Sequence, residues 1–170
     1  IGRSIGESVT LKLNEIAAIL RAKGEPLIHL GGGEPKTKTP IDAITSAAGL
    51  INSGMVRYTP ADGIPALKQA IIRYTDEFYG RQVEPENVIA SSGAKQAIMV
   101  ALQAILDPQD EVIFPAPYWV SYPEMVKLCG AIPVPVLPED GTFYPRIQDI
   151  EQNVTSYTKA IIINSPSNPT

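Results

Sequence analysis

The chain has one cysteine, Cys129, and one histidine, His29. A lone cysteine excludes an internal disulfide, and the pair supplies no zinc ligand set. Nor is there support for a Ser-His or Cys-His catalytic pair, since His29 lies in the apolar run "PLIHL" and reads as a strand histidine. No apolar run approaches the roughly 20 residues that a membrane-crossing helix needs. The opening "IGRSIGESVTLKLNEIAAIL" lacks a basic region followed by an apolar block, so no secretory leader is read and the expected location is cytoplasmic. Positive charge is also short: 14 Lys and Arg stand against 18 Asp and Glu, for a net charge of −4. Without a basic stripe to neutralise phosphates, a nucleic-acid partner is not expected.

What the chain does have is enough apolar matter for a core, with 44% hydrophobic and 19% charged residues in a length of 170. Its 16 prolines punctuate short segments instead of gathering in one tract. Residues 8–23 carry Leu13, Ile16, Ala17 and Leu20 at helical spacing, with Gly24 as the stop. "PLIHLGGGEP" reads as a short strand entering a glycine turn, and helices are expected over 40–51 and 64–79. From there the pattern alternates: strand "NVIAS", helix 94–106, strand "DEVIFP", helix 122–128, strand "AIPVPV", helix 147–152 and strand "KAIIIN". Strands alternating with helices predict βαβ units, hence a largely parallel sheet covered on both faces.

That alternation gives one stretch a position. In "NVIASSGAKQAI", Ser92 to Lys95 fall at the carboxyl end of a strand and the amino end of a helix. Anions bind at such junctions, because the first amides of a helix lack intrahelical acceptors and the helix dipole favours negative charge. Gly93 and Ala94 allow close approach to the backbone, and Lys95 adds either a charge to the site or an ordinary solvated side chain. The stretch matches neither G-x-x-x-x-G-K-[ST] nor G-x-G-x-x-G. By spacing alone it is a phosphate cradle or a tight turn.

Three further stretches add weight. Tyr118 and Trp119 in "PAPYWVSYPEM" follow a strand at the sheet edge where open α/β folds place ligands, positioned either to stack on a flat ring or to fill the core. Asn168 in "NSPSNPT" offers an amide on a proline-stiffened turn, and Tyr58 in "VRYTPADGIPALKQAI" precedes a turn into a helix. In this order and spacing, "LGGGEP", "RYTPADGIPALKQAI", "SSGAKQAI", "LDPQDEVIFPAPYWVSYPEM" and "NSPSNPT" resemble the amino-terminal half of a class I aminotransferase of the aspartate aminotransferase type, a pyridoxal-phosphate enzyme. The likeness runs from about Ser8 to Thr170.

The resemblance implies a three-layer α/β fold, with residues 1–39 an arm and helix of the family's small domain and residues 40–170 part of its large cofactor domain. It implies that Gly93, Ala94 and Lys95 hold the cofactor phosphate and that Trp119 stacks on the pyridine ring. Asn168 is expected to bond the ring's phenolic oxygen, and Gly33 to touch the substrate α-carboxylate through its backbone. Tyr58 is expected to reach the phosphate in the other subunit of a homodimer, and the Asn168–Pro169 bond to be cis. The expected reaction moves an amino group between an amino acid and a 2-oxo acid.

The resemblance also implies residues that have no match here. The Schiff-base lysine, the aspartate beside the pyridine nitrogen, a further cofactor tyrosine and the carboxylate-gripping arginine lie in the family's second half, so no catalytic residue is assigned. The sequence stops at Thr170, where the pattern continues with glycine. The expectation is therefore an amino-terminal portion of a longer enzyme, inactive alone and either marginally stable or associated through exposed apolar surface. Gly6-Glu7-Ser8 stands where bacterial relatives carry a lysine for an acidic substrate, which leaves aromatic or other neutral amino acids open. Two alternatives remain: a pyridoxal-phosphate β-lyase, and a non-catalytic aminotransferase-like module.

Overall fold

The computed structural model describes residues 6, 9–31, 33, 35, 37–138 and 141–170. Its elements in chain order are α1 (Val9–Ala22), α2 (Ile41–Asn52), α3 (Pro65–Tyr79), a 3-10 turn (Pro85–Asn87) and α4 (Ala94–Ile105). There follow β1 (Glu111–Pro115), α5 (Ser121–Leu128), β2 (Ile132–Val136), α6 (Ile147–Glu151) and β3 (Thr158–Ile161). The backbone gathers into two compact units, one of Ile1–Gly33 with Ile98–Thr170 and one of Glu34–Ala97.

The first unit is built on a parallel sheet in the order β2-β1-β3. Central β1 is the most apolar, and Val112, Ile113 and Phe114 are wholly buried. Side chains alternate across a strand, so Ile113 closes the opposite face from Val112 and Phe114. On the latter face, Leu102 and Leu106 from the α4 segment join Tyr122, Met125 and Val126 of α5 and Ala131 in one core. The prolines of β2 fit its place beside a single neighbour. Ile132 donates its N–H to Asp110 O at 2.8 Å, so by alternation the nitrogens of Pro133 and Pro135 face away from β1, where no donor is needed. Two β-connections, one through α5 and one through α6, bring the carboxyl ends of β1 and β3 side by side.

Two expected strands are not formed. "PLIHL" is extended and alternates, with Leu27 and His29 half-buried and Ile28 and Leu30 87% and 89% exposed, yet it has no ladder partner among the described residues. His29 is thus not a strand histidine: it lies beside α1, with Nε2 2.7 Å from Asn14 Oδ1. "NVIAS" in the second unit likewise buries Val88 and exposes Ile89; it pairs with no strand among the described residues, and its Ala90 N–H donates to Asp62 O at 2.9 Å. Apolar alternation marks a segment fit for a sheet, but a strand needs a neighbour to complete its hydrogen bonds. The remaining elements lie within two residues of their expected bounds, except that β3, expected to run to Asn164, ends at Ile161.

In the second unit α3 contacts the 3-10 turn, and Tyr74 stacks on Phe78 with ring centroids 4.4 Å apart. Neither α2 nor α3 has a buried residue.

Candidate functional site

Three site residues of the first unit sit on loops leaving the sheet's carboxyl edge or the α1 unit's extended segment. After β1 the chain turns through a cis Ala116–Pro117 bond, and Tyr118 packs edge-on to Phe114 at 4.6 Å, anchored by the core. Trp119 is half-buried and meets Tyr122 nearly perpendicularly at 5.6 Å. After β3, the Asn164 amide, oriented with its oxygen toward Asn168, accepts the Asn168 N–H at 3.0 Å and donates to Pro166 O at 3.2 Å. Ser165–Pro166 and Asn168–Pro169 are cis, the latter as expected. Gly33 is exposed, with open space around its Cα.

Between the two loops lies a pocket of about 440 Å³ whose walls include Phe114, Tyr118, Tyr122, Tyr144, Asn164 and Asn168. It stands at the carboxyl ends of parallel strands, where the chain leaves β1 in one direction for β2 and returns across it to β3. Asn168 lines it; Trp119 does not. Sequence reasoning missed Tyr144, which reaches this wall from the segment before α6. Its only signal was an aromatic in "GTFYP" beside a turn.

In the second unit the junction at Gly93 is a turn into a helix, without the strand expected before it. Gly93 takes φ +88° and opens α4, with nothing within 4 Å of the position a Cβ would occupy. Gln96 reaches back over the first helical turn to accept the Ser92 N–H at 2.5 Å, and Gly93 N–H bonds Ser91 O at 2.8 Å. Gly93, Ala94 and Lys95 are exposed at the amino end of α4. Tyr58 is fully exposed. Glu7 and Ser8, part of the substrate argument, lie outside the described residues.

Charge is otherwise held in local pairs. A hydrogen bond from Lys68 holds the Asp62 carboxyl below its ordinary range, and Arg146 does the same for Asp149. Lys127 lowers Glu124, which also accepts the Gly6 N–H at 3.2 Å. Burial pushes the Cys129 thiol up, away from nucleophilic use. Among the described residues no group of His, Cys, Asp or Glu is placed to hold a metal ion, and no helix is long and apolar enough to cross a membrane.

A parallel sheet with a loop-lined pocket at its carboxyl edge is the place where open α/β folds hold ligands. The comparisons with known proteins name the family. The model for aminotransferase class I and II matches residues 25–170, and the chain belongs to that family. It is 46% identical over 168 residues to an aspartate aminotransferase of Geobacillus stearothermophilus, covering 98% of this chain and 43% of that protein. It is 44% identical over 170 residues to a probable aspartate/prephenate aminotransferase of Thermus aquaticus, covering 99% and 44%. Among solved structures, aspartate aminotransferase from Thermus thermophilus with maleate superposes with a TM-score of 0.92 at 40% identity, covering 99% of this chain and 44% of that one. The chain therefore spans less than half the length of these relatives.

Proposed function

We infer that this chain is part of a pyridoxal-phosphate-dependent aminotransferase that moves an amino group between an L-amino acid and a 2-oxo acid. The observation that carries this reading is the glycine-opened helix junction at Gly93 within a chain that matches the family from residue 25 to residue 170. The donor set fits the cofactor. A phosphate needs several amides, the role assigned to Gly93, Ala94 and Lys95, and close approach to the backbone, which Gly93 allows because nothing lies within 4 Å of its Cβ position. A flat ring needs a flat neighbour, the role assigned to Trp119. A phenolic oxygen needs a donor, the role assigned to Asn168, whose loop is tied by Asn164.

Bound there, the cofactor supplies an electron sink for the carbanion left when a substrate loses its α-proton. The residues of this chain bind and orient: the amides at Gly93 fix the phosphate end, Trp119 sets the ring plane, and Gly33 presents backbone to the substrate carboxylate. No lysine here matches the family's catalytic lysine, so the 170 residues alone are not expected to transaminate. We further assign residues 1–39 to the small domain, residues 40–170 to the cofactor domain, Tyr58 to the partner subunit's phosphate in a homodimer, and the whole to the cytoplasm.

The substrate is an amino acid of open identity. Two of the relatives are an aspartate aminotransferase and a probable aspartate/prephenate aminotransferase, while Glu7 in this chain disfavours a dicarboxylate. The test is a rate comparison of aspartate and phenylalanine as donors to a 2-oxo acid, using the protein expressed from its native gene. Transfer of the amino group to the acceptor is the expected result. Release of ammonia with pyruvate, or no dependence on pyridoxal phosphate, would sink the reading.

A further inference from the structure

The segment entering the Gly93 turn is held by a second turn 30 residues upstream in sequence, which the functional reading above leaves unused. Asp62 O accepts the Ala90 N–H at 2.9 Å, three residues before Gly93. Gly63 lies so close that a Cβ built on it would stand 2.5 Å from Ala90 Cβ, and its φ of +105° is one that side chains disfavour. The Asp62 carboxylate is paired with Lys68 on the first turns of α3, and the Lys68 side chain is only 12% exposed. Gly63 N–H closes the turn on Pro60 O at 3.1 Å, and Lys68 N–H bonds Ile64 O at 3.1 Å. Ala90 is thereby fixed to a turn whose side-chain anchor is an ion pair on an adjoining helix.

The other end of the same loop is fixed too, by Gln96 on the Ser92 N–H. Only Ser91 lies between Ala90 and Ser92, so a displacement of Ala90 is transmitted over two peptide units to Ser92 and on to the Gly93 backbone. An anion held by amides depends on where those amides point, and a shift of a few tenths of an ångström weakens every bond at once.

We propose that the Lys68–Asp62 pair, acting through the Asp62–Gly63 turn on Ala90, is a positioning device that aims the Gly93–Lys95 amides at the phosphate. The proposal rests on the reading of that junction as a phosphate cradle. Lys68 touches no phosphate itself; it fixes Asp62, and Asp62 fixes Ala90.

The test compares the dissociation constants of pyridoxal phosphate and of pyridoxal, which lacks the phosphate, by equilibrium dialysis with the protein from its native gene. Lys68→Met and Asp62→Asn are the variants, Lys68→Arg the conservative control, and melting temperatures are recorded for each. The expected result is a roughly 5–10-fold loss of the preference for pyridoxal phosphate over pyridoxal, of the size of one lost hydrogen bond. Pyridoxal affinity should be unchanged, and Lys68→Arg should restore the preference. Equal weakening of both ligands, or a preference unaltered in both variants while the unsubstituted protein shows it, overturns the positioning role and leaves the cradle standing. An unsubstituted protein with no preference for the phosphorylated ligand removes the cradle and the proposal together. Asp62→Asn keeps the shape and the backbone carbonyl, so a folding failure of Lys68→Met does not decide the matter.

Discussion

The Glu111 carboxylate accepts the Thr155 hydroxyl at 2.5 Å, joining the start of β1 to the turn that delivers β3. Thr155 N–H in turn bonds Thr158 Oγ1 at 2.9 Å, and Glu111 N–H bonds Tyr157 O at 2.8 Å. The β1–β3 pairing is irregular between Glu111 and Val112, so this cluster sets the register where the ladder alone does not. It lies at the amino end of the sheet, opposite the pocket.

Replacing Thr155 by valine keeps the shape and removes the hydroxyl. The expected cost is about 1 kcal/mol, the net worth of one partly exposed hydrogen bond, read as a lowered urea midpoint. Pyridoxal phosphate affinity should not change. An affinity loss as large as the stability loss would contradict the separation of sheet base from site.

Asp149 carries a pH dependence whose sign is fixed by its pKa. The hydrogen bond from Arg146 comes first among the causes that hold the Asp149 carboxyl below its ordinary value. Arg146 Nη2 lies 2.6 Å from Asp149 Oδ1, and the Arg146 N–H reaches Oδ2 at 2.9 Å, a reciprocal cap on α6. The unfolded chain then binds the proton more readily, near pH 4, so the stabilisation is full above that pH and fades as pH falls through the lowered native value. Melting temperatures of the unsubstituted protein and Asp149→Asn should differ at pH 7 and converge in stronger acid. A gap that stays constant from pH 7 to pH 2 would count against the cap.

The exposed face of α2 makes a prediction about the isolated chain. Ile41, Ile44 and Ile51 fall on one face of the helix and are all exposed, and the helix has no buried residue. Contiguous apolar surface of this kind marks an interface. On a sizing column the 170-residue chain should elute above its 18.3 kDa, and Ile44→Lys with Ile51→Lys should shift it down. A single monomeric peak at high concentration for the unsubstituted chain would oppose this.

How far the sequence could be read followed from which forces are local. Helix bounds came out within two residues because caps, stops and 3.6-residue spacing lie inside each segment: Pro65 opens α3 and Gly80 ends it. The strands of the sheet were legible where β1, β2 and β3 pair with one another. "PLIHL" and "NVIAS" were not, because alternation records a side chain's readiness for a sheet and says nothing of the neighbour. At the site, the Gly93 junction was visible as a small-residue turn before a helix, and Asn168 as an amide between prolines. Tyr144 and the Lys68–Asp62 pair were hidden, since their parts are separated in sequence from what they serve and only folding brings them there.

Two glycines separate steric crowding from backbone strain. Gly93 and Gly63 both have positive φ, +88° and +105°, but a Cβ on Gly93 would meet nothing within 4 Å, while one on Gly63 would stand 2.5 Å from Ala90 Cβ. Gly93→Ala should therefore cost only the left-handed strain, about 1–2 kcal/mol, and the chain should still fold. Gly63→Ala adds a clash with the Ala90 methyl, which cannot swing away because the Ala90 N–H is tied to Asp62 O, so its loss should be clearly larger, and chemical denaturation of the two variants side by side measures the order. Their effects on ligand should rank the other way per unit of stability lost. Gly93→Ala puts a methyl group where a phosphate oxygen is expected to approach the amides, so it should weaken pyridoxal phosphate while sparing pyridoxal. If Gly93→Ala leaves both ligands bound as before, the phosphate does not sit over Gly93.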